Sequence, residues 1–231
     1  MDKIWDFPGS KWWRIDFHTH TPASDDYKTK EITPEQWLQR ARDARLDAVV
    51  VTDHNSGGWI DKLKAANEVM NQGGGHQLTL FPGVEISVAD SSNRVHLLAI
   101  FDPSCDGQKI TAVLGACGIS SGFGDDQTTA TTTGFIDTVR KITEAGGLAI
   151  PAHIDGEKGL LYEISSLTPE LKNSLNSVSA AEFCNHDIFD QANFEYKKAV
   201  SRLTILAGSD AHNPEEIGRH ATWLKMSRLS L

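Results

Sequence analysis

Cysteine is scarce in this chain. Cys105, Cys117 and Cys184 are its three, spaced without pattern. An odd, unpatterned set is neither a disulfide framework nor a zinc knuckle, and it reads as reduced thiols in a cytoplasmic protein. Positive charge is also short: 22 Lys and Arg stand against 31 Asp and Glu, a net charge of −9. Such a chain has no general electrostatic hold on nucleic acid or on an anionic membrane. Any phosphate it handles must be met by local groups, bound cations first among them. No apolar run approaches the ~20 residues that span a bilayer, and a membrane is not expected as a partner. The N-terminal MDKIWDFPGSKWWRIDF has no apolar core of a signal peptide. A glycine loop of the G-x-x-x-x-G-K-[ST] kind is absent, as are internal repeats and long linkers.

What remains is 231 residues, 39% apolar, enough for one globular domain spanning 1–231 with a full core. Strands and helices alternate. Strands are expected at 12–18, 47–54, 78–87, 95–101, 148–153, 178–184, 203–210 and 221–226. Helices are expected at 34–45, 59–72, 108–116, 134–145, near 169–175 and at 187–201. Thr33 should cap the first helix with Pro34 at its first position. Gly73-Gly74-Gly75 and Gly146-Gly147 should end two others. The polar, Gly-rich 117–133 reads as a loop. Alternation of this kind implies a parallel sheet, and about seven units suggest a closed or nearly closed barrel, with an open doubly wound sheet as the alternative.

The chemistry-bearing residues gather at strand ends, where barrel active sites assemble. His18 and His20 end the first strand, His54 the second and His153 the fifth, while His212 follows Gly208-Ser209-Asp210. His96 is the exception, at the start of its strand. Strand alternation puts Asp16, His18 and His20 on one face, so two imidazoles could grip one cation while Asp16 steers a ring from behind. Glu85, placed at a strand end, is the carboxylate suited to bridge two cations. Asp210 and His212 repeat the spacing of His18 and His20. Each piece has a plainer reading beside it: surface histidines, a helix cap, a salt-bridged glutamate. His76 sits in a glycine turn. His186 and Arg219 are candidate substrate contacts, Arg219 because its guanidinium fork suits phosphate oxygens.

Taken together, DFHTH (16–20), SDD (24–26), TDHN (52–55), GVE (83–85), VHLLA (95–99), PAH (151–153) and GSDAH (208–212) resemble the PHP (polymerase and histidinol phosphatase) superfamily. The resemblance runs over nearly the whole chain in the family's order. It implies a distorted (β/α)7 TIM-like barrel holding two or three divalent metals, zinc, manganese or iron. One metal would be held by His18, His20, Glu85 and Asp210. A second would be held by Glu85, His96 and His153, and a third by Asp25, His54 and His212. The chain departs from the family's usual Ser-Asp-Gly at 24–26, where it has Ser-Asp-Asp. A narrower resemblance, carried by 9–27 and 217–226, is to the N-terminal domain of TrlF-type proteins, which join a PHP domain to an AAA-like ATPase region.

The implied activity is hydrolysis of phosphate esters, with Glu85, Asp53 and His212 as catalytic candidates. A nuclease served by an ATPase domain is the first rival, and would make nucleic acid a partner. A non-catalytic metal-binding module is the second. An amidohydrolase-type C–N hydrolase is the third; that family's bridging lysine has no counterpart in strands 78–87, 95–101 or 148–153. The substrate, the metal and the oligomeric state are not legible from sequence.

Overall fold

The computed structural model describes residues 9–90, 94–164, 166–184 and 194–231. In chain order the elements are β1 (Lys11–Thr19), α1 (Pro34–Asp43), β2 (Ala48–Val51), α2 (Ile60–Gln72), β3 (Thr79–Val88) and β4 (Val95–Ile100). There follow α3 (Gly107–Ala116), α4 (Phe135–Glu144), β5 (Leu148–Pro151), α5 (Leu160–Glu163), α6 (Pro169–Leu175) and β6 (Ala180–Glu182). The last are α7 (Phe194–Val200), β7 (Thr204–Leu206), a 3-10 turn at Pro214–Glu216, and β8 (Thr222–Met226). No helix among the described residues is long and apolar enough to cross a membrane.

Local chemistry sets the helix ends. Thr33 accepts from the Gln36 amide at 3.3 Å, and the Gln36 side chain returns the bond to the Thr33 N–H at 3.0 Å, with Pro34 opening α1. α4 ends at Gly146, whose φ of +81° suits glycine and lets the Gly147 N–H reach back to Ile142 O at 3.0 Å.

The sheet is mixed. Six strands run in the order β5-β4-β3-β2-β1-β8. Only β1–β2 and β2–β3 pair parallel within it; β3–β4, β4–β5 and β1–β8 are antiparallel. This corrects the expectation of a parallel sheet. The reason is length: β3 and β4 are joined by residues 89–94, too few for the dozen or more that a parallel crossover needs. A separate parallel pair, β6–β7, fills the opening between the sheet's two ends. The Ile154 N–H reaches Glu182 O at 2.8 Å on one side. On the other, Asp210 N–H meets His18 O at 2.8 Å and His20 N–H meets Ala211 O at 3.0 Å. The result is a mixed α/β fold with a strongly curled sheet.

Two apolar layers lie on its two faces. Ile15, Phe17, Ala48, Val50, Phe81, Leu98, Ile100 and Ile150 pack inside the curl. Val49, Val51, Leu80, Val84, Leu97 and Ala99 pack outward against helix residues such as Trp37, Leu63, Ile110 and Val139. The inner layer ends where polar residues begin, and the site lies there.

Candidate metal centre

A bulge in β1 turns two histidines inward. Ile15 pairs with Ala48 and Asp16 with Val49, but Thr19 pairs with Val51. β1 therefore spends three residues where β2 spends two, and the extra residue reverses the alternation beyond it. Asp16 stays on the outer side with Val49, whereas His18 and His20 join the inner side with Val50 and Thr52. The expectation that Asp16 shares their face is corrected. Its carboxylate instead accepts from Ser209 Oγ at 2.6 Å, Gly218 N at 2.8 Å and Ser209 N at 2.9 Å, pinning the 208–218 segment to β1. Burial pushes its pKa up to about 6 against these bonds.

Glu85 reaches the same place from β3, and not from its end: it lies inside the strand. β2 stops at Val51 while β3 continues, so Glu85 still projects past the neighbouring strand's end. Gly83 permits the passage, because a Cβ there would lie 3.0 Å from both Ala99 O and Val51 O. His96 arrives from β4. That strand runs antiparallel, so its first residues, not its last, lie at the mouth. This is why His96 looked out of place in the sequence.

The Glu85 carboxylate is fully buried among five imidazoles. Its Oε2 is 2.9 Å from His54 Nδ1, 3.2 Å from His18 Nε2 and 3.4 Å from His20 Nε2. Its Oε1 is 2.6 Å from His96 Nδ1 and 3.0 Å from His153 Nε2. Asp210 Oδ1 adds contacts of 3.3 Å to His18 Nε2 and 3.2 Å to His20 Nε2, and those two nitrogens are 3.1 Å apart. Five of the six edges among these four atoms thus measure 3.1–3.4 Å. A tetrahedron of that edge has its centre about 2.0 Å from each corner, the bond length of zinc to nitrogen and carboxylate oxygen. A further corner joins His54 Nε2, His212 Nε2 and Asp26 Oδ2, with separations of 3.3, 3.4 and 2.9 Å.

Proton inventory turns the ring nitrogens the right way. Ser24 Oγ donates its one proton to Asp53 Oδ1 at 2.8 Å, so it accepts from His20 Nδ1 at 2.8 Å. The His20 Nε2 lone pair is then free toward Glu85 and Asp210. His212 Nδ1 faces the carbonyl of Asp210 at 2.9 Å, which frees its Nε2 in the same way. Several short contacts nevertheless lack hydrogen-bond geometry. His54 Nδ1, Glu85 Oε2, both His96 nitrogens and His153 Nδ1 are buried without a hydrogen-bond partner. Convergent imidazole and carboxylate atoms left unsatisfied in this way fit a divalent cation.

The electrostatics agree. Burial alone would lower the His18 and His54 pKa values, but Glu182, Glu85 and Asp210 raise His18 well above its usual value, and Glu85 and Asp26 bring His54 to about 10. Burial raises Glu85's tendency to stay neutral, yet His96, His18 and His54 hold it well below the usual carboxylate range. Positive charge is favoured at this point, whether carried by protons or by a metal. His96 is the contrast: burial takes it down to about 4, a neutral ligand form. His153, Asp210 and Asn55 carry positive φ of 24°, 49° and 46°, backbone strain of the kind retained at functional sites.

Comparison with known proteins places this arrangement. A PHP-associated family model matches residues 195–229. The 5'-3' exoribonuclease Rnm of Salmonella typhimurium is 35% identical over 85 residues, 37% of this chain and 26% of that protein. The Escherichia coli protein of the same name is 34% identical over the same length. The chain thus spans about a quarter of these curated relatives. Among solved structures, an amidohydrolase from Chromobacterium violaceum, holding sulfate and no metal, superimposes with a TM-score of 0.60, 19% identity and 90% of each chain covered. A two-domain protein from Bacteroides vulgatus containing a predicted PHP-like metal-dependent phosphoesterase gives 0.59 at 17% identity, over 99% of this chain and 63% of that one. These solved structures share the fold of this chain.

Within this fold the expected residues fall unevenly. His18, His20, His54, Glu85, His96, His153, Asp210 and His212 converge as described. Asp25 does not join them. Its N–H bonds Gly124 O at 2.9 Å and its carboxylate lies against Gly124, while the next residue, Asp26, reaches His212 and His54. Asp53 does not reach the cavity either. Fully buried, it accepts from Thr21 N at 2.7 Å, Thr21 Oγ1 at 2.6 Å and Ser24 Oγ at 2.8 Å, and so braces the loop after β1. Arg219 is exposed and does not line the cavity; its neighbour His220 does. His186 lies outside the described residues. His76 is exposed, its Nε2 2.6 Å from Leu46 O.

The cavity over the cluster measures about 460 Å³. Among the lining residues that sequence reading missed are Asp126, Lys158 and Glu182. Lys158 is the only Lys or Arg among the described lining residues, and it is ion-paired with Asp126. Its backbone carbonyl accepts the His96 N–H at 2.9 Å, which sets it on the His96 side. A lone lysine between Gly156 and Gly159 carries no periodic signal, and only the fold brings it to the cavity.

Proposed function

We propose that this chain is a PHP domain and that it hydrolyses phosphate esters with two or three divalent cations. The observation that carries the reading is Glu85, buried and facing His18, His20 and His54 with one oxygen and His96 and His153 with the other. His18, His20, Glu85 and Asp210 would hold one cation, and Glu85, His96 and His153 a second. His54, His212 and Asp26, in place of Asp25, would hold a third. Bound cations supply Lewis acidity: they neutralise phosphate charge and bring the pKa of a water from ~15.7 toward ~7. Zinc, manganese and iron all suit these ligands. The Lys158 ammonium meets the substrate's anionic oxygens, exchanging Asp126 for phosphate. Asp53 acts through Ser24 by fixing the tautomer of His20. No lysine stands on β3, β4 or β5, which weighs against the bridged-lysine centre of a C–N hydrolase.

The test is hydrolysis of an aryl phosphate, removed by chelation and restored by Mn²⁺ or Zn²⁺. Full activity in a His18→Ala, Asp210→Ala double variant would sink the proposal. A second reading, a nuclease, is supported by the local similarity to the exoribonuclease. Against it stands the presence of one Lys and no Arg among the described residues of the cavity lining. Incubation with single-stranded RNA and DNA, read on a gel, separates a phosphodiesterase from a phosphomonoesterase.

A further inference from the structure

Glu182 belongs to none of the expected ligand positions, yet it is 2% exposed at the end of β6, facing the cluster. Its Oε2 lies 2.8 Å from His18 Nδ1 and accepts the backbone N–H of His153 at 2.9 Å. Its Oε1 is buried without a hydrogen-bond partner. Room for it depends on Gly208, where a Cβ would lie 2.5 Å from both Glu182 Oε1 and His18 Cβ. A buried carboxylate held this closely is costly to keep without a role.

We propose that Glu182 is a positioning residue that couples the two cation sites on either side of Glu85. The inference rests on the cation reading of the site. A carboxylate only accepts, so the His18 proton sits on Nδ1 and the Nε2 lone pair is committed to the corner shared with His20, Glu85 and Asp210. The same oxygen fixes the main chain of His153, a residue at φ 24°, whose Nε2 faces the opposite oxygen of Glu85. One atom therefore orients a ligand of each site. Ser24 makes the contrast: it orients His20 and accepts the His54 N–H at 3.0 Å, and it bonds neither His96 nor His153, which face the other Glu85 oxygen.

The experiment is a Mn²⁺ titration of the metal-free wild type, Glu182→Gln and Ser24→Ala, followed by calorimetry and by electron paramagnetic resonance. Thermal unfolding of each metal-free protein is measured alongside. Gln keeps the shape and an acceptor oxygen but loses the charge. Both binding steps should weaken in Glu182→Gln, by about 10- to 100-fold, the usual loss for a partner of a ligating histidine. The spin-coupled signal of paired Mn²⁺ should be replaced by isolated ions at low occupancy, with the metal-free melting point little changed. Ser24→Ala should leave the step at His96 and His153 unchanged. An unchanged Glu182→Gln isotherm overturns the proposal, and so does the loss of one step alone. Should Glu182→Gln not fold, nitrogen-15 spectra of the zinc-loaded wild type decide: a His18 ring protonated on Nδ1 supports the proposal and one protonated on Nε2 overturns it. A wild type that binds neither Mn²⁺ nor Zn²⁺ removes the cation reading itself; binding without hydrolysis removes only the activity.

Discussion

The two ends of the histidine and carboxylate cluster are built differently. At the inner end, His18, His20 and Glu85 are fully buried, and each imidazole is held from behind by an acceptor. At the rim, the Asp26 and Asp210 side chains are 47% and 46% exposed, and Asp26 hangs from a turn rather than a strand. The inner end is rigid because sheet pairing, the β1 bulge and buried carboxylates all set the same atoms. The rim has water as a competitor for every contact. The difference teaches that cations here should not be equivalent: the inner ones resident, the outer one exchangeable.

The strongest test of that contrast is Glu85→Ala. It removes the carboxylate shared by the two inner cation sites, so hydrolysis should fall to background and the inner cations should be lost, measured by elemental analysis. Next is Asp53→Ala. Three buried donors lose their acceptor, which should cost about 2–4 kcal/mol of stability, read by denaturant unfolding, before any effect on chemistry. Lys158→Met should raise KM about tenfold, in line with loss of a charge-assisted hydrogen bond, while metal content stays at the wild-type value. Asp26→Ala should strip only the most weakly held cation, and Asp25→Ala and Arg219→Ala should do nothing of the kind; equal effects at 25 and 26 would erase the distinction drawn between them.

The pH dependence sharpens the same comparison. In the metal-free protein the His54 pKa is raised to about 10 and that of His18 well above its usual value. A histidine raised on folding contributes stability that is fully present below ~6.5 and is lost as pH rises through the folded value. A metal needs the neutral ring, so binding at pH 7 should release protons and tighten as pH increases toward 10. Calorimetry in two buffers of different ionisation enthalpy reads the protons released. No buffer dependence would mean that the inner imidazoles are already neutral.

Much of this was legible beforehand, and the failures have identifiable causes. Helix and strand order could be read because periodicity, Thr33-Pro34 and Gly146-Gly147 are local signals. The direction of β4 was also present, in the shortness of the link before it, but a general expectation of alternation masked it. Asp25 and Asp26 cannot be told apart by residue type; the Asp25 amide bond to Gly124, a contact across about a hundred residues of chain, decides which carboxylate turns inward.

The sequence by itself determined the set of groups able to ligate and the approximate ends of the elements that carry them, since residue chemistry and local periodicity need no third dimension. Only the tertiary structure decided which way each group faces. The bulge sends His18 inward and Asp16 outward, the antiparallel β4 delivers His96 to the mouth, and the curl brings Glu182 and Lys158 to the same cavity. Facing depends on register and strand direction, and these are settled by pairing between segments far apart in the chain.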